Sequence, residues 1–233
     1  MINIFELLSR SFSIYFKNFP RVLVIIIWLL LAKFGSIFLP TFQASLAANQ
    51  IILISASFAF LFLLGAWTDQ VLVSFLYAGH KDQSYTWRQA ASQAFRRLPS
   101  YALMTILWSV VTFVGFLLFI VPGLVFMTWY FFASPLFVVE GMGPWQALKQ
   151  SHELTHDIGW KIFSRYFLSF SLLVMIFLIL VNIFSSILSF MSLAQNVQQI
   201  IMAILSILFS ALLSPIFTGV IVVMYDEAKK LKG

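Results

Sequence analysis

Residues 121–162 read VPGLVFMTWYFFASPLFVVEGMGPWQALKQSHELTHDIGWKI. Val121-Pro122-Gly123 has the composition of a turn between two apolar segments, and the run that follows is apolar as far as Val139. Gly141 and Gly143 then interrupt the chain. Pro144 suits the first position of a new helix. Trp145 to His156 is polar on one side only, as expected for a helix at a membrane surface. Turn, apolar segment, break and surface helix recur outward from here. They predict an all-α, polytopic membrane helical bundle.

The composition agrees. Of the 233 residues, 61% are hydrophobic and only 9% charged, with mean hydropathy +0.98. Soluble domains carry roughly 25% charged residues, so a compact water-soluble globule of this length could not bury so much apolar surface. The formal charge of +6 does not indicate nucleic acid, because the basic residues lie between apolar runs and no basic domain stands apart. The chain has no Cys, which removes disulfides and thiolate chemistry from consideration.

Spanning helices need about 20 apolar residues. The sequence offers six segments, near residues 21–40, 48–78, 99–121, 123–140, 161–190 and 197–225. The fourth is short and contains Pro135, which predicts a tilted, kinked or partly spanning helix. Three amphipathic stretches precede the pairs. In residues 2–19, Ile4, Phe5, Leu8, Phe12, Tyr15, Phe16 and Phe19 share a face opposite Glu6, Ser9, Arg10, Ser13 and Lys17. Residues 86–98 and 144–158 repeat the pattern. Each is expected to lie in the headgroup plane and lead into a hairpin. The result is a single membrane domain, 1–233, with possible repeat units 1–80, 81–140 and 141–233. Ser45-Leu46-Ala47 faintly resembles a cleavage site, but the long first apolar run favours a retained anchor.

Charge sets the expected topology. Thirteen of the Lys and Arg residues, from Arg10 to Lys232, fall on one side, and the opposite turns are uncharged. The positive-inside rule then puts both termini in the cytoplasm of a bacterial inner membrane. Lys17, Arg21, Arg88, Arg96, Arg97, Lys149, Lys161, Lys229, Lys230 and Lys232 are the expected contacts for anionic headgroups, at about 1 kcal/mol each near the surface.

Polar residues at membrane depth are the candidates for function. Lys33, Asp69 and Asn182 qualify. If the first hairpin turns near residue 44, Lys33 and Asp69 lie roughly 20 Å apart along the axis, too far to pair. Asp69 is expected to meet Arg21 or Lys17 at the boundary, with a proton- or ion-coupling role as the alternative. Asn182 is expected to bond across to a neighbouring helix. Two small-residue stripes, Thr105-Ser109-Thr112-Gly115 and Ser206-Ser210-Ser214-Thr218, predict close helix packing.

His152-Glu153-Leu154-Thr155-His156 matches H-E-x-x-H, in which two His one turn apart ligate zinc and the Glu activates water. A third protein ligand is required. His80 is the only other His, and Asp157 points about 100° away from His156 along the helix. The expectation is a solvated helix face without a cofactor, with zinc at His152 and His156 as the minor alternative.

The stretch from Phe119 to Phe163 resembles the YciC-like bacterial inner-membrane proteins, in the group named for the glycerophosphoryl diester phosphodiesterase membrane domain. The matching features are Val121-Pro122-Gly123, Phe132-Ala133-x-Pro135, Val139-Glu140-Gly141, Gly143-Pro144, Ala147-Leu148-x-x-Ser151 and Trp160-Lys161-Ile162. Arg97-Leu98-Pro99 and Tyr225-Asp226 also fit. The resemblance implies a polytopic membrane protein concerned with lipid or envelope homeostasis, without the catalytic barrel that gives the group its name. The leading expectation is a non-catalytic membrane protein that contacts lipid and possible membrane-protein partners. The alternative is a passive or lipid transporter with a cavity lined by Asp69, Asn182 and the Ser stripe.

Overall fold

The computed structural model describes residues 3–20, 22–23, 26–27, 30, 48–81, 86–190 and 195–232. All secondary structure among these residues is helical: α1 (Ile4–Lys17), α2 (Ala48–His80), α3 (Trp87–Arg96), α4 (Leu98–Leu118), α5 (Ile120–Trp129), α6 (Ala133–Val139), α7 (Pro144–Thr155), α8 (Gly159–Phe190) and α9 (Gln195–Lys232). Five stretches are long and apolar enough to cross a membrane: Ser55–His80, Leu98–Leu118, Ile120–Val139, Gly159–Phe190 and Val197–Lys232. The chain is thus an all-α membrane protein. Most of the expected segment at 21–40, with Arg21 and Lys33, lies outside the described residues.

Between apolar helices in lipid, close approach and hydrogen bonds replace the hydrophobic effect as the source of cohesion. The hairpin of α4 and α5 shows this. The chain reverses at Phe119, whose extended backbone (φ −165°, ψ 160°) separates the two helices, and Val121-Pro122-Gly123 forms the first turn of α5. The expected turn is therefore displaced onto Phe119. Pro122 fits there because the first N–H groups of a helix have no intrahelical acceptor. Gly123 serves contact. A Cβ on it would lie 2.4 Å from the Phe116 ring, and one on Gly115 would lie 2.5 Å from Phe126.

The fourth apolar segment is broken. α5 ends at Trp129, residues 130–132 turn, and α6 restarts at Ala133 with Pro135 in its first turn. A break at membrane depth frees backbone groups that lipid cannot satisfy. Helix α7 satisfies them. Ser151 Oγ donates to the Trp129 carbonyl (2.8 Å) and accepts from the Phe132 N–H (3.0 Å), and Thr155 Oγ1 shares its proton between the same carbonyl (3.1 Å) and the Ser151 carbonyl of its own helix (2.9 Å). Ser151, Thr155 and Ala147 are fully buried. This helix is a clamp on the bundle, with only one side, including Trp145 and Glu153, left exposed.

Helix α1 likewise packs one side against the bundle. Leu7, Leu8, Ser11, Ile14 and Tyr15 are buried, and a Cβ on Gly219 of α9 would sit 3.6 Å from Ser11 Cβ. Phe5 and Phe16 remain exposed at 76% and 64%. The apolar residues of α1 therefore form two faces, about 130° apart at 100° per residue, one for protein and one suited to lipid.

Candidate functional site

The broken segment does more than reverse the chain. Its turn and the first residues of α6 form one wall of a chamber of about 470 Å³ between α2, α4, α8 and α9. Most of the lining is apolar or aromatic, including Phe62, Val73, Met104, Trp108, Met127 and Phe131. Asp69, in the middle of α2, borders it. Tyr101 Oη and Ser134 Oγ both donate to Asp69 Oδ2, the serine at 3.1 Å, and the two hydroxyls lie 2.7 Å apart. Oδ1 receives no hydrogen bond among the described residues. The side chain is half-buried because it borders this open space.

Each member is placed by its helix. Tyr101 lies in the first turn of α4 and is 3% exposed. Ser134 is the second residue of α6, so the break at 130–132 is what turns it toward α2. Thr105 is one turn beyond Tyr101 and lines the same chamber, its hydroxyl donating to the Tyr101 carbonyl (3.0 Å). Trp108 follows, with a buried indole N–H that has no hydrogen-bond partner among the described residues. Gly65, one turn before Asp69, lines the chamber and is exposed; a Cβ there would meet no atom within 4 Å.

The sequence singled out Asp69 but missed its partners. Among the described residues its partners are two hydroxyls and not Lys17; Arg21, the other expected ion-pair partner, lies outside the described residues. Tyr101 and Ser134 were legible only as polar residues in apolar segments; Ser134 is the unassigned position of Phe132-Ala133-x-Pro135. Asn182 does not join the site. It is exposed, and its amide donates to Leu178 O of its own helix at 2.8 Å. Ser206, Ser210 and Ser214 also bond within α9. Of that stripe only Thr218 reaches the chamber.

The basic residues divide into two groups. Arg97, between α3 and α4, donates to the Phe137 (2.8 Å) and Met142 (2.5 Å) carbonyls and lies 4.1 Å over the Phe137 ring. Burial lowers its pKa from the ordinary arginine value. The last turns of α9 gather several charges. Lys229 meets Glu140 at 2.6 Å, Lys230 meets Asp226 at 2.9 Å, and Lys232 meets Asp157 at 3.1 Å. Asp226 also bonds Lys81 and His80. Burial pushes the Glu140 carboxyl up, but hydrogen bonds from Lys229 and Tyr225 and the Lys229 charge outweigh it, leaving the pKa below the ordinary value. Of these side chains expected at the headgroups, Arg97, Lys229 and Lys232 tie separate segments together, whereas Lys230 pairs within α9. Lys149 (3.9 Å from Glu153), Lys17, Lys161, Arg88 and Arg96 are exposed. The two arginines line an open polar groove on α3 with Gln89, Ser92 and Gln93.

The H-E-x-x-H residues lie at the end of α7, with His156 as its C-cap. His152 packs edge-on against Trp129 (ring centroids 4.3 Å), and His156 is 5.6 Å from His152 and bonds Asp157 at 3.1 Å. Glu153 is exposed beside Lys149. Among the described residues, no group of three or more His, Asp or Glu side chains is arranged to hold a metal.

No curated protein matches this chain, and no solved structure does. Residues 88–228, more than half of the chain, match the family described as a domain of unknown function, DUF7847, and the chain belongs to that family.

Proposed function

We propose that this chain is a non-catalytic bacterial inner-membrane protein that admits a membrane-borne amphiphile into its interior chamber, either to carry it or to present it. One observation carries the reading. A polar cluster around a carboxylate sits in an otherwise apolar space of about 470 Å³, within the size range of small-molecule sites. Such a space suits an apolar body with one polar end. The six-span arrangement of three hairpins, the cytoplasmic termini and the YciC-like resemblance belong to the same proposal, and they agree with a role in lipid or envelope homeostasis.

The test is tryptophan quenching in nanodiscs by a brominated alkyl amphiphile. Saturable quenching that disappears in Trp108→Phe is expected. Gly65→Phe should abolish it at unchanged thermal stability, because the chamber is open at Gly65. Quenching that rises linearly with probe in both the wild type and Trp108→Phe would refute the proposal. The polar groove of Arg88 and Arg96 favours a second, compatible reading, contact with anionic headgroups. It requires Arg88→Gln with Arg96→Gln to remove any stabilisation by phosphatidylglycerol.

A further inference from the structure

Asp69 indicates what the polar end of the occupant should be. An ionised carboxylate taken out of water is stable only when paired or fully hydrogen-bonded. Here Oδ2 takes the hydroxyls of Tyr101 and Ser134, and Oδ1 takes none among the described residues. Every other residue lining the chamber is neutral. The unsatisfied oxygen therefore belongs to a side chain that borders an open, aromatic-walled space.

We infer that the chamber selects organic cations, an alkylammonium or a similar lipophilic amine, with Asp69 as counter-ion and Tyr101 and Ser134 as positioning residues. This rests on the chamber reading above and adds charge selectivity to it. Two features favour an organic over an inorganic cation. A metal ion would require several oxygens, whereas the lining is mainly apolar. Trp108, Tyr130, Phe131 and Tyr166 line the chamber, and the face of an aromatic ring attracts an ammonium group. The hydroxyl pair holds the carboxylate from one side and leaves its second oxygen for the ligand's N–H donors.

The experiment compares a dansylated alkylamine with its N-acetylated, uncharged analogue on the full chain in zwitterionic nanodiscs. The amine should bind at least about tenfold more tightly, the scale of one hydrogen bond to a charged group. Asp69→Asn keeps the shape and the hydroxyl acceptor. It should erase that preference and leave the neutral probe's affinity within about twofold. Tyr101→Phe keeps the charge and should reduce the preference only in part, which supplies the test if Asp69→Asn does not fold. Equal binding of the two probes to the wild type, or a preference that survives Asp69→Asn, would overturn the inference and leave the chamber standing. Displacement of the amine by equimolar sodium would overturn it too, by making the site one for an inorganic cation. If neither probe binds saturably, the chamber reading itself fails.

Discussion

Replacing Ser151 with alanine tests how the broken helix is held. In the wild type, its hydroxyl bonds two backbone groups released by the break, the Trp129 carbonyl at 2.8 Å and the Phe132 N–H at 3.0 Å, at a site with no solvent exposure. The carbonyl retains Thr155 at 3.1 Å in the variant. The N–H retains nothing, since water does not reach it. An unsatisfied buried donor costs about 1–3 kcal/mol, so Ser151→Ala should destabilise by about 2 kcal/mol. For a chain of this size that corresponds to a fall in Tm of about 4–8 °C. Thr155→Val should cost less, because Ser151 continues to serve the same carbonyl. The double variant should cost more than the sum, since only then does the carbonyl lose both donors. Thermal unfolding in detergent micelles, followed by circular dichroism, measures all three. A Ser151→Ala shift within about 1 °C of wild type, or a larger effect from Thr155→Val, would refute this account of the break.

Three further outcomes follow from the packing and charges. Gly123→Ala places a methyl group 2.4 Å from the Phe116 ring, and overpacking of this kind costs about 1–3 kcal/mol; Gly65→Ala, which meets no atom and replaces a glycine in a helix interior, should not lower Tm. Arg97→Lys should destabilise nearly as much as Arg97→Ala, because one ammonium cannot reproduce a fork to two carbonyls together with contact on the Phe137 ring; a neutral result in an unfolding series would contradict that geometry. Glu140 has a folded pKa below its unfolded one, so its contribution is fully present above the ordinary carboxylate pKa and is lost as pH falls from there through the lower folded pKa. Tm measured against pH should therefore fall less steeply in acid for Glu140→Gln than for the wild type.

Apolar run length and charge placement made the helical membrane architecture legible in the sequence, because both follow directly from the cost of exposing backbone and charge to lipid. Pro135 signalled that the fourth segment is irregular. The position of the break was not legible, since it depends on Ser151 and Thr155 arriving from a helix about twenty residues downstream. Helical periodicity grouped Leu8 with Phe5 and Phe16, but a moment reports apolarity and does not separate a side facing protein from one facing lipid. Asp69 stood out by its depth. Its hydroxyl partners did not, because Tyr101 and Ser134 are ordinary residues until α2, α4 and α6 converge. The basic tail misled for a related reason: Lys229 and Lys232 lie near Glu140 and Asp157, carboxylates distant in sequence, and a linear count of charge contains no such pairings.

That convergence is most directly tested by cross-linking, for which a chain without Cys is a clean background. With Asp69→Cys and Ser134→Cys introduced together, whose native side chains lie 3.1 Å apart, a short thiol cross-linker in native membranes should join the pair efficiently. Asp69→Cys paired with Ser189→Cys should remain unlinked. Failure to link 69 with 134, or equal linking in both pairs, would mean that the carboxylate does not meet the broken helix inside the bundle.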